Sequence, residues 1–268
     1  MTSRTQRRLI LIVGSIGVFA LLLLTWQAII HFGKVPPYML PAPLQVAKTI
    51  VARFPDLWGS TLITLQEAAA GLALSIVAGI LIALIFASAT PIRQLFFPYT
   101  ILLQTVPIMG VTPIIIMWIG AGLPAVILVV FIFCLPSIIA NTTQGLISVD
   151  ENFMHLFQMH NASRLQILRT LRFPNALPYM FVGIRISSGL AVIGAITGEL
   201  FAGSTQVGIG GLGYSIIYAM AQLQTDYLFA LVIASIVLGF SFFFLVMFFE
   251  WLALHKWHES AASSRTDA

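Results

Sequence analysis

Apolar residues fall in six long runs along the chain, at roughly 9–31, 60–88, 97–119, 123–147, 177–201 and 227–253, separated by short polar or proline-rich links. Each run is predominantly apolar, and each reaches the about 20 residues that a helix needs to cross a bilayer. The pattern predicts an all-α integral membrane protein with six transmembrane helices. The first run follows Arg4, Arg7 and Arg8 as a secretory leader would. It is too long for a leader's apolar segment and has no small-residue cleavage site before His31, so it reads as a retained first helix.

The links add detail. Val35 to Pro43 contains Pro36, Pro37, Pro41 and Pro43, which remove donors and restrict their predecessors, so this stretch is expected to be extended. Leu44, Ala47, Ile50, Val51 and Phe54 then recur at helical spacing beside Gln45, Lys48 and Arg53, the pattern of a short helix lying in the membrane interface. The link from Ser148 to Pro178 is the longest. Ser148 and Glu151 have capping-box spacing, and Val149, Phe153, Leu156, Phe157 and His160 share one helical face. Asn161, a residue type that tolerates the left-handed conformation, follows, and Ser163 with Gln166 repeats the capping box. Leu165, Leu168 and Leu171 then face one way among Arg164, Arg169 and Arg172, until Pro174 interrupts. The expected unit is helix, tight turn, helix. Its apolar and cationic face suits either lipid headgroups or a docked protein.

Composition narrows the function. The chain is 59% hydrophobic and 8% charged with a formal net charge of +4 over 268 residues, which leaves no room for a separate soluble catalytic domain. Its basic residues are scattered between apolar runs, so nucleic acid is not an expected partner. With a cytoplasmic N-terminus, ten of the thirteen Lys and Arg residues fall on the inner side and three (Lys34, Lys48, Arg53) outside. That bias predicts cytoplasmic N- and C-termini and inner loops at about 90–96 and 148–176. The expected layout is a cytoplasmic N-terminus at 1–8, a single transmembrane domain at 9–258, and a short, polar, disordered cytoplasmic tail at 259–268.

Several chemistries find no motif. The lysines are Lys34, Lys48 and Lys256, and none stands in a phosphate-binding loop. Gly208 to Gly213 spells the dinucleotide pattern, but between membrane spans it reads as an external turn whose glycines allow close approach. Cys134 has no partner cysteine, and the five histidines form no metal-binding motif, so neither a disulfide, a metal nor a bound cofactor is expected. No nucleophile, base or metal constellation suggests an enzyme.

Polar residues and breakers inside the spans are the remaining signals. Glu67 lies about two turns, roughly 12 Å, into the second span, and Glu199 near the outer end of the fifth. Carboxylates in hydrocarbon are costly and face a partner, a cavity or water. Gln104, Pro107 and Pro113 break the third span and Pro136 the fourth, ahead of Asn141, which predicts helices around a cavity rather than against lipid. Gly194 and Gly198 form a G-x-x-x-G face suited to close helix packing or dimerisation.

The long link resembles the signature of the transmembrane subunits of binding-protein-dependent ABC importers, which reads E-A-A, three residues, G, nine residues, I-x-L-P. Here His155-Leu156-Phe157 stands for E-A-A, Asn161 for the glycine, and Leu171 to Pro174 for the closing motif. Leu40 to Pro43, Gln104 to Pro107, Trp118 to Gly120, Ser148 to Asp150, Ala162 to Ile167, Phe173 to Tyr179 and Gly211 to Tyr214 are similar to the nitrate, sulfonate and taurine branch, which includes thiamine-precursor and riboflavin importers. The resemblance covers about 36–258. It implies a type I importer (MetI-like) fold and a permease subunit that forms a translocation pathway across the bacterial inner membrane. The partners implied are two ATPase subunits that bind ATP, an external substrate-binding protein, and a second permease subunit, a homodimer, within the lipid bilayer.

On that resemblance, His155, Leu156, Phe157, Asn161, Ala162, Ser163, Arg164 and Pro174 are the expected ATPase-coupling residues. Candidates for the translocation pathway are Glu67, Gln104, Pro107, Asn141 and Glu199. The expected substrate is a small heteroaromatic vitamin precursor of the thiamine-precursor or riboflavin type, or an anion of the nitrate, sulfonate or taurine type. The alternative is an ion- or proton-coupled secondary transporter using the two glutamates as relays.

Overall fold

The computed structural model describes residues 4–202 and 210–263, with the helical backbone alone for 4–12, 15, 16 and 256–263. Among the described residues all regular structure is helical. In chain order the elements are α1 (Arg4–Gly33), α2 (Pro43–Ala52), α3 (Phe54–Ser88), α4 (Thr90–Gln104), α5 (Ile108–Ile119), α6 (Leu123–Ile147), α7 (Glu151–Met159), α8 (Arg164–Ile167), a π-helical turn (Leu168–Arg172), α9 (Phe173–Ala202), α10 (Leu212–Ala221) and α11 (Thr225–Ser263).

The apolar runs become helices, with three differences. Among the described residues four helical stretches are long and apolar enough to cross a membrane, and α4 with α5 makes a fifth only as a pair bent by 101°. The bend sits at the first break the sequence placed, at Gln104 and Pro107, whereas α5 and α6 run on through Pro113 and Pro136, where no break forms. Gln104 ends α4, Pro107 supplies the extended residue before α5, and the intervening backbone has no continuous ladder. The expected loop at 90–96 is helical. Ala89 alone separates α3 from α4, because Pro91 in the first turn is tolerated where a missing N–H costs nothing. The expected disordered tail is helical as far as Ser263, carried by Glu259, Ala261 and Ala262, which are favourable helix residues. Residues 1–3, 203–209 and 264–268 lie outside the described residues, and with them part of the expected N-terminus, the start of the glycine-rich turn and the end of the tail.

The chain divides into two compact units, one comprising Met1–Gly59 with Ser215–Ala234 and the other Ser60–Tyr214 with Ser235–Ala268. In the first, α2 forms where the amphipathic pattern placed it, with Pro43 in its first turn and Val46 buried. Arg53 organises the end of this helix. Its guanidinium lies 3.6 Å from the centroid of the Tyr227 ring, donates to Gln224 Oε1 at 2.7 Å and pairs with Asp56 at 3.1 Å. Thr49 donates to Asp226 at 2.7 Å, Thr225 to the Tyr38 carbonyl at 2.7 Å, and Trp26 packs on Phe229.

The second unit is built on α6 and α9, whose closeness follows from small residues. A Cβ on Gly183 would lie 3.0 Å from Asn141 Cβ, and one on Gly198 would lie 3.0 Å from Val126 Cγ1. Gly145 of α6 is tighter, because a Cβ there would come within 2.9 Å of the Ala176 backbone. The Gly194 and Gly198 face is therefore used inside the chain, against α6. Helix α3 joins through Gly71 at Val130 and Gly79 at Ile138. Ala83, Ala87, Leu146, Ala176 and Met180 form a core at one end, and Ile115, Ala125 and Val129 form another.

Candidate functional site

The link between α6 and α9 folds as two short helices about a tight turn. Asp150 caps α7, accepting from Asn152 N–H at 2.8 Å. The expected cap, Ser148, lies two residues too early: α6 extends to Ile147, so Ser148 closes that helix and its hydroxyl donates to the Gly145 carbonyl at 3.3 Å. Helix α7 ends in a Schellman motif, with Ala162 N–H donating to Phe157 O and Asn161 N–H to Gln158 O, both at 3.0 Å. Asn161 takes the left-handed conformation there, at φ 54°. Ser163 and Gln166 then make the reciprocal capping box, Gln166 N–H to Ser163 Oγ at 3.3 Å and Ser163 N–H to Gln166 Oε1 at 2.7 Å.

Pro174 does not end the second helix. Helix α8 passes through the π turn into α9, where Phe173 N–H bonds Leu168 O one residue further back than in an α-helix. This wider turn absorbs the donor that Pro174 lacks. The base of the loop is tied to the spans. Asn175 Nδ2 donates to Gly145 O at 3.0 Å, and Arg172 Nη1 to Ala87 O, at the end of α3, at 2.8 Å.

No residue of α7 is buried. Phe153, Leu156, Met159 and Leu165 are exposed, and a concavity of about 400 Å³ opens between the helices, lined by Leu156, Phe157, His160, Ala162, Gln166 and Thr170. His155, Asn161, Ser163 and Arg164 are exposed around it, while Pro174 is half-buried at its base. The loop thus presents an apolar surface that the described residues leave uncovered, on a turn fixed by backbone bonds.

The structure brings two expected pathway residues together in the interior. Glu67 and Glu199 are 5% and 1% exposed, and their carboxyl groups are in hydrogen-bond contact. Thr64 Oγ1 lies 2.6 Å from Glu199 Oε1, and Gly213 N–H donates to Glu199 Oε2 at 2.5 Å. The other candidates lie elsewhere. Gln104 and Pro107 are exposed at the bend between α4 and α5, and Asn141 is half-buried with its amide donating to Ser137 O of its own helix.

Three features were missed in the sequence. Thr64 stands one turn before Glu67 on the same face of α3, a spacing that flags it once Glu67 is singled out. Arg185 of α9 forms a two-point ion pair with Glu250 of α11, with Nε 3.0 Å from Oε2 and Nη2 against both oxygens. The signal was a lone cation and a lone anion in two spans, which pair more cheaply than either is buried alone. Thr142 and Thr143 are buried with hydroxyls that meet no partner among the described residues.

Comparisons with known proteins agree with this architecture. The family described as binding-protein-dependent transport system inner membrane component matches residues 75–251. The riboflavin transport system permease protein RibX of Chloroflexus aurantiacus is 33% identical, over 72% of this chain and 72% of its own. The formylaminopyrimidine transport permease protein ThiX of Halalkalibacterium halodurans is 31% identical, over 82% of this chain and 86% of its own. Permeases named for aliphatic sulfonates, taurine and nitrate match at 29%, 26% and 29% identity. Among solved structures, an inward-facing form of the MetNI methionine ABC transporter shares the fold, with a TM-score of 0.50 and 20% identity over 75% of this chain and 97% of the other.

Proposed function

This chain belongs to the family of inner-membrane components of binding-protein-dependent transport systems, and from that premise we propose how it works as the permease subunit of an ABC importer. Two copies form the pathway, and a pair of ATPase subunits docks on the α7–α8 loops from the cytoplasm. The observation that carries this reading is the loop itself: an uncovered apolar concavity on a turn held by a Schellman motif and a capping box. A surface that must transmit force needs a rigid backbone path, and both motifs fix it without relying on burial. His155, Leu156, Phe157, Asn161, Ala162, Ser163 and Arg164 meet the ATPase, and Pro174 sits where the loop passes its motion into α9. ATP shifts the population of the inward- and outward-open states by binding one of them better.

Gln104 and Pro107, exposed at the α4–α5 bend, and Asn141 border the pathway in this reading, with Glu67 and Glu199 behind it. The substrate is a small heteroaromatic of the thiamine-precursor or riboflavin type. Relatives named for riboflavin and formylaminopyrimidine, at 33% and 31% identity, support this choice over the anions of the sulfonate, taurine and nitrate relatives. The test is purification with the chain's genomic neighbours, followed by ligand binding to the co-encoded binding protein. Co-isolated ATPases, vanadate-sensitive uptake and tight binding of a pyrimidine or flavin are expected. Uptake that follows a proton gradient without ATP would reject the importer mechanism, and tight binding of taurine or nitrate alone would reject the substrate.

A further inference from the structure

Helix α10 begins without a capping side chain of its own. Its preceding residue is Gly211, yet a helix start leaves N–H groups in need of acceptors. Those acceptors come from α3 and α9. Leu212 N–H donates to Thr64 Oγ1 at 2.8 Å, and Gly213 N–H donates to Glu199 Oε2 at 2.5 Å. Because Thr64 Oγ1 accepts from Leu212, its own hydrogen is free for Glu199 Oε1, 2.6 Å away, a shorter contact than the 3.2 Å to Ser60 O. Glu199 therefore accepts on both oxygens.

Glu67 completes the arrangement. Its carboxyl contacts that of Glu199, while its Oε2 is buried and meets no donor among the described residues. Two acceptors cannot bond each other, and a buried polar oxygen is rarely left unpaired. The first condition is met when Glu67 donates from the oxygen that touches Glu199, and its Oε2 is then the carbonyl of a neutral acid, which costs less to leave buried and unpaired than a charged oxygen. The surrounding backbone is shaped to this cluster. A Cβ on Gly211 would collide with Glu199 Oε1, and a Cβ on Gly213 would collide with the Ile196 carbonyl. Gly213, the last glycine of the stretch that spelled a nucleotide motif, and Gly211 within that stretch thus leave room for a carboxylate to reach the helix start.

We propose that Glu199 is the positioning residue of α10, held as acceptor by Thr64, Gly213 and a hydrogen-donating Glu67, and that this three-donor clamp fixes the start of α10 for transport. Glu199 acts through the helix and touches no solute. The proposal rests on the permease reading only for its uptake measurement.

The test uses the assembled transporter in proteoliposomes with its ATPases and binding protein. A nitroxide is attached through Ile217→Cys, on the exposed side of α10, in a Cys134→Ala background. In Glu199→Gln the amide keeps one acceptor and turns a donor toward Thr64 or Gly213. The label should become mobile and uptake should fall by about tenfold, the loss expected when a hydrogen bond to a charged group goes. Glu67→Gln retains an N–H donor toward Glu199 and should keep the label immobile, whereas Glu67→Leu should release it. Thr64→Val should behave like Glu199→Gln, and Thr64→Ser should restore the parent's behaviour. An immobile label with parental uptake in Glu199→Gln would overturn the clamp. So would Glu67→Gln releasing the label as Glu199→Gln does, since the donor would then be misassigned. A parent that shows no ATP-driven uptake would sink the permease reading, while label mobility would still decide the clamp.

Discussion

Asn161 shows how a single residue sets a backbone path. Its φ of 54° places it in the left-handed region, where a β-branched side chain is in steric conflict and glycine is free. Asn161→Gly should therefore transport at close to the parental rate. Asn161→Val should insert normally and lose coupling, seen as ATPases that dock poorly or hydrolyse ATP without uptake. Ser163→Ala removes an N-cap worth about 1 kcal/mol and should give a milder defect of the same kind. If Asn161→Val shows parental uptake with normal ATPase assembly, the loop is not the coupling element and its apolar face rests on lipid. The residue identities behind this turn were legible in the sequence because capping and left-handed turns depend on neighbours three or four positions away. The Glu67–Glu199 contact was not, because it joins positions far apart in the chain, and no local rule pairs them.

At the scale of elements, glycines set how near the helices come. Gly145, Gly183 and Gly198 lie where α6 and α9 touch, whereas a Cβ on Gly189 of α9 would meet nothing within 4 Å. Gly145→Ala would press a methyl group against the Ala176 backbone, which cannot yield as a side chain can. Overpacking of this kind costs about 1–3 kcal/mol. Its unfolding temperature in detergent should fall, while Gly189→Ala should hold or raise it through the helix preference of alanine, about 1 kcal/mol. Equal unfolding temperatures for the two variants would mean that the α6–α9 contact does not limit stability. Proline acts differently at different positions. Pro107 helps bend α4 from α5 by 101°, whereas Pro174 is absorbed by a π turn, and the sequence pattern alone does not distinguish these outcomes.

For the whole molecule, the distribution of basic residues gives an orientation that the backbone alone does not. A cysteine replacing Gln45, exposed on α2, should react with an impermeant reagent in intact cells, and one replacing Ser163 only after permeabilisation. Labelling of Ser163 from outside would reverse the orientation and remove the loop from reach of a cytoplasmic ATPase. A cysteine at Ser204 was expected to label from outside as well, although this position lies outside the described residues. By itself the sequence determined the helical membrane class, the bounds of α6, the turn at Asn161 and the capping box at Ser163. Each follows from a run of apolar residues or from contacts a few positions apart, which a linear pattern records in full. Tertiary structure alone decided that Gly194 and Gly198 pack within the chain, that Arg185 meets Glu250, and that Glu199 caps α10. A buried polar or charged group must find its partner wherever the fold brings one, and that distance in space is not written in the distance along the chain.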